Sequence, residues 1–178
     1  MVCYSNIYMP LKTIHRSLIE ADTKYILHQC NCVTKDSAGI AKSIFEAFPW
    51  ANTYLKREKP SSRGNIDILG DGKTERFVIN AYVQYYPGKP YESAYKSNIR
   101  TTDTYDNRLF YLQKCLQRIE NISNLESIGI PVGMGCGLAK GNWNDYLRLI
   151  EDFAKQIKSE QNAEVILYNY DNKKSSSQ

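Results

Sequence analysis

The chain has 178 residues, of which 42% are hydrophobic and 24% charged, the balance of one folded globular unit rather than a disordered or collagen-like chain. No apolar run approaches the roughly 20 residues of a membrane span, and Met1 to Pro10 lacks a basic-then-apolar leader, so the cytoplasm is the expected compartment and no membrane partner is expected. Five cysteines without a CxxC pair exclude a disulfide scaffold, and a net charge of +4, partly from Lys173 and Lys174, is weak support for a nucleic-acid partner.

In chain order, Lys12 to His15 and Tyr25 to Asn31 are short, rich in β-branched and aromatic residues, and read as strands. Ile40, Ile44 and Phe48 recur at helical spacing, which predicts a helix from Gly39 that Pro49 stops, with a further short helix over Trp50 to Arg57. Asn65 to Leu69 and Arg76 to Tyr82 flank Asp71-Gly72, a hairpin signal, and Tyr86-Pro-Gly-Lys-Pro90 marks a loop. Leu109, Leu112, Leu116 and Ile119 step by three and four, which predicts a long helix from Tyr105 to near Asn121. Ser127 to Val132 is a strand that runs into Gly133-Met-Gly-Cys-Gly137. Then comes a helix with Asn142 as N-cap and Asp145 in its first turn, where a carboxylate complements the dipole. Ala163 to Tyr168 is the last strand, and 171–178 is expected to be a disordered tail. Strands alternating with helices predict a single α/β domain over residues 1–170, a sandwich around a mixed sheet.

Two phosphate motifs fail on inspection. Gly72-Lys-Thr74 resembles the end of a P-loop but has Asp67 at the leading glycine position, and Gly133 to Leu138 has Leu138 at the third glycine of a dinucleotide fingerprint. The physics beneath the second survives, because three glycines in five residues bring backbone N–H groups close to an anion between a strand and a helix. Ser37-Ala-Gly-Ile-Ala41 places small residues at another helix start directly after a buried strand. Two such loops at the ends of parallel strands face one crevice. His15, His28, Cys30 and Cys32 lack metal-ligand spacing, so no metal and no cofactor is expected, and the thiols read as core. Lys56 to Arg63 reads as a solvated basic loop, and no nucleic-acid partner is expected. Most of the fourteen tyrosines read as packing residues.

Three segments carry a family resemblance. His28-Gln-Cys-Asn-Cys-Val-Thr-Lys-Asp-Ser-Ala-Gly-Ile-Ala41 and Ile130-Pro-Val-Gly-Met-Gly-Cys-Gly-Leu138 resemble the two ligand loops of macrodomains, and Ile79 to Gly88 is similar to their central strand and its loop. The likeness spans residues 12–170 and is nearest to the branch of ADP-ribose 1''-phosphate phosphatases and terminal ADP-ribose protein glycohydrolases. It implies an α/β/α sandwich with a mixed central sheet, monomeric, holding ADP-ribose at the sheet's carboxyl edge. By the same resemblance Asn31 faces the distal ribose. Gly39, Ile40 and Ala41 line the diphosphate from one side, and Gly133, Met134, Gly135, Cys136, Gly137 and Leu138 the diphosphate and distal ribose from the other. Gly135 is expected to tolerate no side chain. Tyr168 or Tyr170 packs near adenine.

The departures bear on chemistry. Relatives with an Asp for the adenine amino group have it where this chain has Ser17, which follows Arg16, and Asp36-Ser37 stands where relatives carry an apolar residue and glycine. The catalytic lysine of the terminal glycohydrolases falls at Val83 or Gln84 and their aspartate at Ala139, so no amine is present to attack the ribose. Asp36 and Asp145 are the carboxylates nearest the loops, with Asn31 and Asn142 able to orient water. The leading expectation is hydrolysis of the terminal phosphate of ADP-ribose 1''-phosphate. The alternatives are a noncatalytic reader of ADP-ribose or ADP-ribosylated macromolecules, and a lysine-independent protein ADP-ribosyl hydrolase.

Overall fold

The computed structural model of the chain describes residues 11–96 and 99–170; the expected tail and Cys3 lie outside them. Eight strands form: β1 (Leu11–Ile14), β2 (Tyr25–Asn31), β3 (Ile66–Gly70), β4 (Phe77–Gln84), β5 (Tyr91–Lys96), β6 (Ile99–Asp103), β7 (Ser127–Pro131) and β8 (Glu164–Tyr168). Three helices join them: α1 (Gly39–Ala47), α2 (Tyr105–Glu120) and α3 (Trp143–Gln161). Six strands make the main sheet in the order β1-β8-β7-β2-β4-β3, parallel throughout except for β3, which returns antiparallel on β4. The predicted mixed sheet and the predicted hairpin are both present. At its tip Gly72 takes φ +70°, while Asp71 Oδ1 accepts from the N–H groups of Lys73 and Thr74. The P-loop-like triplet is an Asx turn.

All seven residues of β2 are buried, as expected of a strand covered on both faces. Alternation sorts the central strands into two cores. Ile26, Cys30, Val78 and Tyr82 pack under Ile44 and Phe45 of α1, and Leu27, Ile79 and Ala81 pack under α2 and α3 through Leu112, Ile119, Ile150 and Ile157. The layers are therefore α/β/α. Thr104 caps α2 in a reciprocal capping box with Asn107, and Asn142 caps α3 as its position predicts. No side chain caps α1. Among the described residues no helix is long and apolar enough to cross a membrane.

Two expectations about local structure are corrected. Trp50 to Arg57 does not form a helix: a single 3₁₀ turn at Pro49–Ala51 ends where Asn52 Oδ1 accepts the Tyr54 N–H, a local bond that competes with helix propagation. Beyond the Tyr86–Pro90 loop, β5 and β6 form a separate antiparallel hairpin that the sequence did not announce. Its strands, Tyr-Glu-Ser-Ala-Tyr-Lys and Ile-Arg-Thr-Thr-Asp, are largely polar and lack an apolar alternation to read.

His28 lies wholly buried in β2, and its Nε2–H donates to Asn80 Oδ1 at 2.6 Å, since the Asn80 amide nitrogen is already spent on Ala51 O and Thr53 Oγ1. Burial lowers its pKa to about 4. An unfolded chain binds this proton below about pH 6.5 while the folded one resists it, so His28 costs nothing above that pH. Its destabilising effect grows toward about 3 kcal/mol as pH falls to 4. Urea denaturation at pH 4.5 and 7.0 is therefore expected to show a smaller pH dependence in His28→Gln than in the wild type; equal dependence would refute the assignment.

Candidate functional site

A crevice of about 500 Å³ opens at the carboxyl ends of the parallel strands, within the size range of small-molecule sites. Segments following β1, β2, β4, β7 and β8 all contribute to it. Asp36 is the one charged side chain on its walls; among the described residues no lysine, arginine or histidine lines it.

The first loop leaves β2 at Asn31, which is 6% exposed. Its Oδ1 gathers the N–H groups of Val33 (3.0 Å) and Thr34 (2.9 Å) and shares the Thr34 hydroxyl proton (3.1 Å) with Asp36 O (2.9 Å), while its Nδ2 donates to the Tyr54 hydroxyl at 3.1 Å. Asn31 thus shapes the loop as well as lining the crevice. From the far side, Arg57 Nη1 and Nη2 donate to Thr34 O (2.6 Å) and Asn31 O (2.9 Å), and the guanidinium stacks over Tyr54 at 4.3 Å. Arg57 is 8% exposed, so the reading of Lys56 to Arg63 as a solvated loop fails at this residue. The loop ends in α1, whose uncapped first turn leaves the N–H groups of Gly39, Ile40 and Ala41 without helical acceptors. All three residues line the crevice.

The second loop follows β7. Cys136 N–H donates to Gly133 O and Gly141 N–H to Gly135 O, which folds the segment into consecutive turns; Gly133 and Gly135 take φ +74° and +75°. Gly133, Met134, Gly135, Gly137 and Leu138 line the crevice, and Cys136 does not. The N–H groups of Gly133, Gly137 and Leu138 have no acceptor among the described residues. The expectation that Gly135 tolerates no side chain agrees with its positive φ and also with its packing. A Cβ there would stand 2.5 Å from the Tyr146 ring and 2.7 Å from Gln29 Oε1, so its missing side chain admits protein and not phosphate. At Gly137 a Cβ meets nothing within 4 Å and φ is unstrained. The two loops nearly touch across the mouth, where a Cβ on Gly39 would lie 3.7 Å from the Leu138 side chain.

Behind these walls Arg108, 1% exposed, joins three segments. It meets Asp103 Oδ2 through Nε (3.1 Å) and Nη2 (2.7 Å), and its Nη1 donates to Gly88 O (2.8 Å) and Ala139 O (3.1 Å), both in crevice-lining residues. On the floor, Gln29 Nε2 donates to Gln84 Oε1 at 2.6 Å. Of Val83 and Gln84, the two positions matched to the missing lysine, Gln84 lines the crevice and Val83 lies in the core, and Ala139, matched to the missing aspartate, lines the crevice too. Neither lining residue was expected to take part, and no local pattern marks Gln29 or Arg108.

At the opposite end lie Ser17, Leu18, Ile19, Tyr168, Asn169 and Tyr170. Ser17 Oγ caps a 3₁₀ turn by accepting the Ile19 N–H. Asp22 does not replace the absent adenine carboxylate, because it is paired with Arg16, which holds its pKa below the usual carboxylate range. Tyr168 is 3% exposed and Tyr170 66%, so the first is packed and the second projects.

The four residues expected to carry chemistry divide into two pairs. Asn31 and Asp36 line the crevice together. Asn142 and Asp145 do not reach it: Asn142 Oδ1 is spent on the Asn144 N–H, and Asp145 Oδ2 accepts from the Tyr105 hydroxyl at 2.7 Å. Burial and that carboxylate push Tyr105 up to about 12. Cys30 and His28 also stay in the core, where burial raises the thiol and lowers the imidazole, leaving no thiolate–imidazolium pair.

No protein-family model and no curated protein matches the sequence. Solved structures do match. The macrodomain of Mycobacterium tuberculosis DarG is 19% identical with a TM-score of 0.59, over 89% of this chain and 96% of that one. The macrodomain of Thermus aquaticus DarG is 20% identical with a TM-score of 0.58, over 90% and 97%. Thermosipho africanus DarTG, solved in complex with ADP-ribose, is 14% identical with a TM-score of 0.63, over 93% of this chain and 43% of that one. The fold is that of macrodomains.

Proposed function

We propose that the crevice binds ADP-ribose and that the chain removes the terminal phosphate of ADP-ribose 1''-phosphate. The observation that carries the binding reading is the pair of crevice-lining loops that approach each other and hold N–H groups without partners among the described residues, Gly39 to Ala41 in one and Gly133, Gly137 and Leu138 in the other. The macrodomain fold and the ADP-ribose complex of a similar structure support the identity of the anion. For the reaction, developing negative charge meets the same N–H donors, and Asp36 is the carboxylate at hand to act as base or nucleophile. A second reading, a reader without turnover, is favoured by Gln84. This neutral amide, tied to Gln29, supplies no amine where the terminal glycohydrolases have one.

Calorimetric titration of the wild type and of Gly137→Val tests the site. One ADP-ribose is expected to bind the wild type at micromolar affinity, roughly −7 to −8 kcal/mol. The valine, whose Cβ meets nothing within 4 Å, is expected to weaken binding by about tenfold or more while the protein stays folded in an unfolding scan. Absence of heat and of thermal stabilisation at millimolar ligand would sink the reading. A side-by-side assay of phosphate release from ADP-ribose 1''-phosphate and ADP-ribose release from modified protein separates enzyme from reader.

A further inference from the structure

The crevice poses an electrostatic problem. Its walls carry one charge, the negative Asp36, yet the proposed ligand brings two more negative charges, and backbone N–H groups supply only partial positive charge. Lys35, Lys42 and Lys140 stand exposed beside the loops without lining the crevice, and the buried cations that touch the loops are two arginines whose surroundings differ. Arg108 is neutralised by Asp103, the carboxylate 2.7 Å away. Arg57 is also buried but has no carboxylate within ion-pair distance among the described residues; its partners are the Thr34 and Asn31 carbonyls and the faces of Tyr54 (4.3 Å) and Tyr82 (5.7 Å). A guanidinium taken out of water without a counterion is costly, and the site gains most when an anion arrives nearby.

We propose that Arg57 is a positioning residue for the anion: it draws the Asn31 and Thr34 carbonyls to the rear of the first loop, away from the ligand, and its charge is balanced when a diphosphate occupies the crevice. The inference rests on the ADP-ribose reading for the identity of the ligand but not for its charge. It assigns a role to the one buried member of a basic run whose neighbours Lys56, Glu58 and Lys59 are exposed.

Full-length wild type, Arg57→Lys and Arg57→Gln are titrated with ADP-ribose and, separately, with inorganic pyrophosphate, and their ligand-free unfolding midpoints are measured. Arg57→Gln keeps a polar side chain without charge and is expected to lose about tenfold or more in ADP-ribose affinity, beyond any loss its unfolding midpoint explains. Arg57→Lys restores the charge and is expected to recover most of that affinity. A purely structural role predicts that both variants fail alike in step with stability, and that result overturns the proposal, as does Arg57→Gln binding within twofold of the wild type. If the wild type takes pyrophosphate but not ADP-ribose, the ligand assignment fails, and the same variant comparison with pyrophosphate decides the role of Arg57. Binding of neither overturns both.

Discussion

Arg108→Met is expected to lower the unfolding free energy by about 3–5 kcal/mol, the range for removing one partner of a buried ion pair. Methionine fills a similar volume, so little of that loss comes from a cavity. The cost lies in what is left behind. Asp103 is fully buried and keeps only the Tyr85 N–H at 3.0 Å; its Oδ1 has no hydrogen-bond donor even in the wild type, with Arg63 Nη1 3.9 Å away. The carbonyls of Gly88 and Ala139 lose the guanidinium as well. Urea unfolding measures the loss, and Arg108→Met combined with Asp103→Leu is expected to recover part of it, because the stranded carboxylate is gone. A single variant that unfolds within 1 kcal/mol of the wild type, a threshold well below that range, removes the pair as the support of the crevice's rear wall.

That support is also where the sequence was least legible. Elements whose periodicity is local could be read: the 3.6-residue stripe of α2, the Asn142 cap, the Asp71-Gly72 turn, and the glycine spacing of the second loop. Each is fixed by interactions within a few residues. The two loops that line the crevice were legible for the same reason, since β2 and β7 run directly into them. Arg57 and Arg108 are different. Arg57 sits in a charged run and Arg108 on a helix beside Asn107, and only tertiary packing decides that these two arginines face inward toward loop carbonyls. Ala51, Tyr54 and Arg57 are buried at intervals of three, a pattern that shows only in the folded chain. Asn142 and Asp145 misled in the opposite sense: sequence proximity to the second loop suggested chemistry, but the residues between serve to turn the chain into α3.

Asp36→Asn is expected to reduce phosphate release from ADP-ribose 1''-phosphate by about 100-fold or more, while ADP-ribose affinity stays within a few-fold. The substitution keeps the side-chain volume and removes the only carboxylate on the crevice wall. The backbone beneath it is held without the carboxylate, by the Thr34 hydroxyl whose one proton is shared between Asp36 O (2.9 Å) and Asn31 Oδ1 (3.1 Å), so the substitution leaves that bond in place. Asn31→Ala provides the contrast. It strips the acceptor that gathers Val33 and Thr34, loosening the first loop, and both affinity and turnover are expected to fall together. Initial-rate phosphate release, read beside calorimetric affinities for the same preparations, separates the two patterns. If Asp36→Asn turns over at the wild-type rate, no other carboxylate among the described residues lines the crevice to take the role, because Asp145 is held by Tyr105 outside it. Phosphate-monoester hydrolysis would then have to rely on a water oriented by Asn31 and on the loop N–H groups alone. A wild type that binds ADP-ribose yet releases neither product leaves the reader as the function, with Gln84 and Ala139 as the reason its crevice holds the ligand without cleaving it.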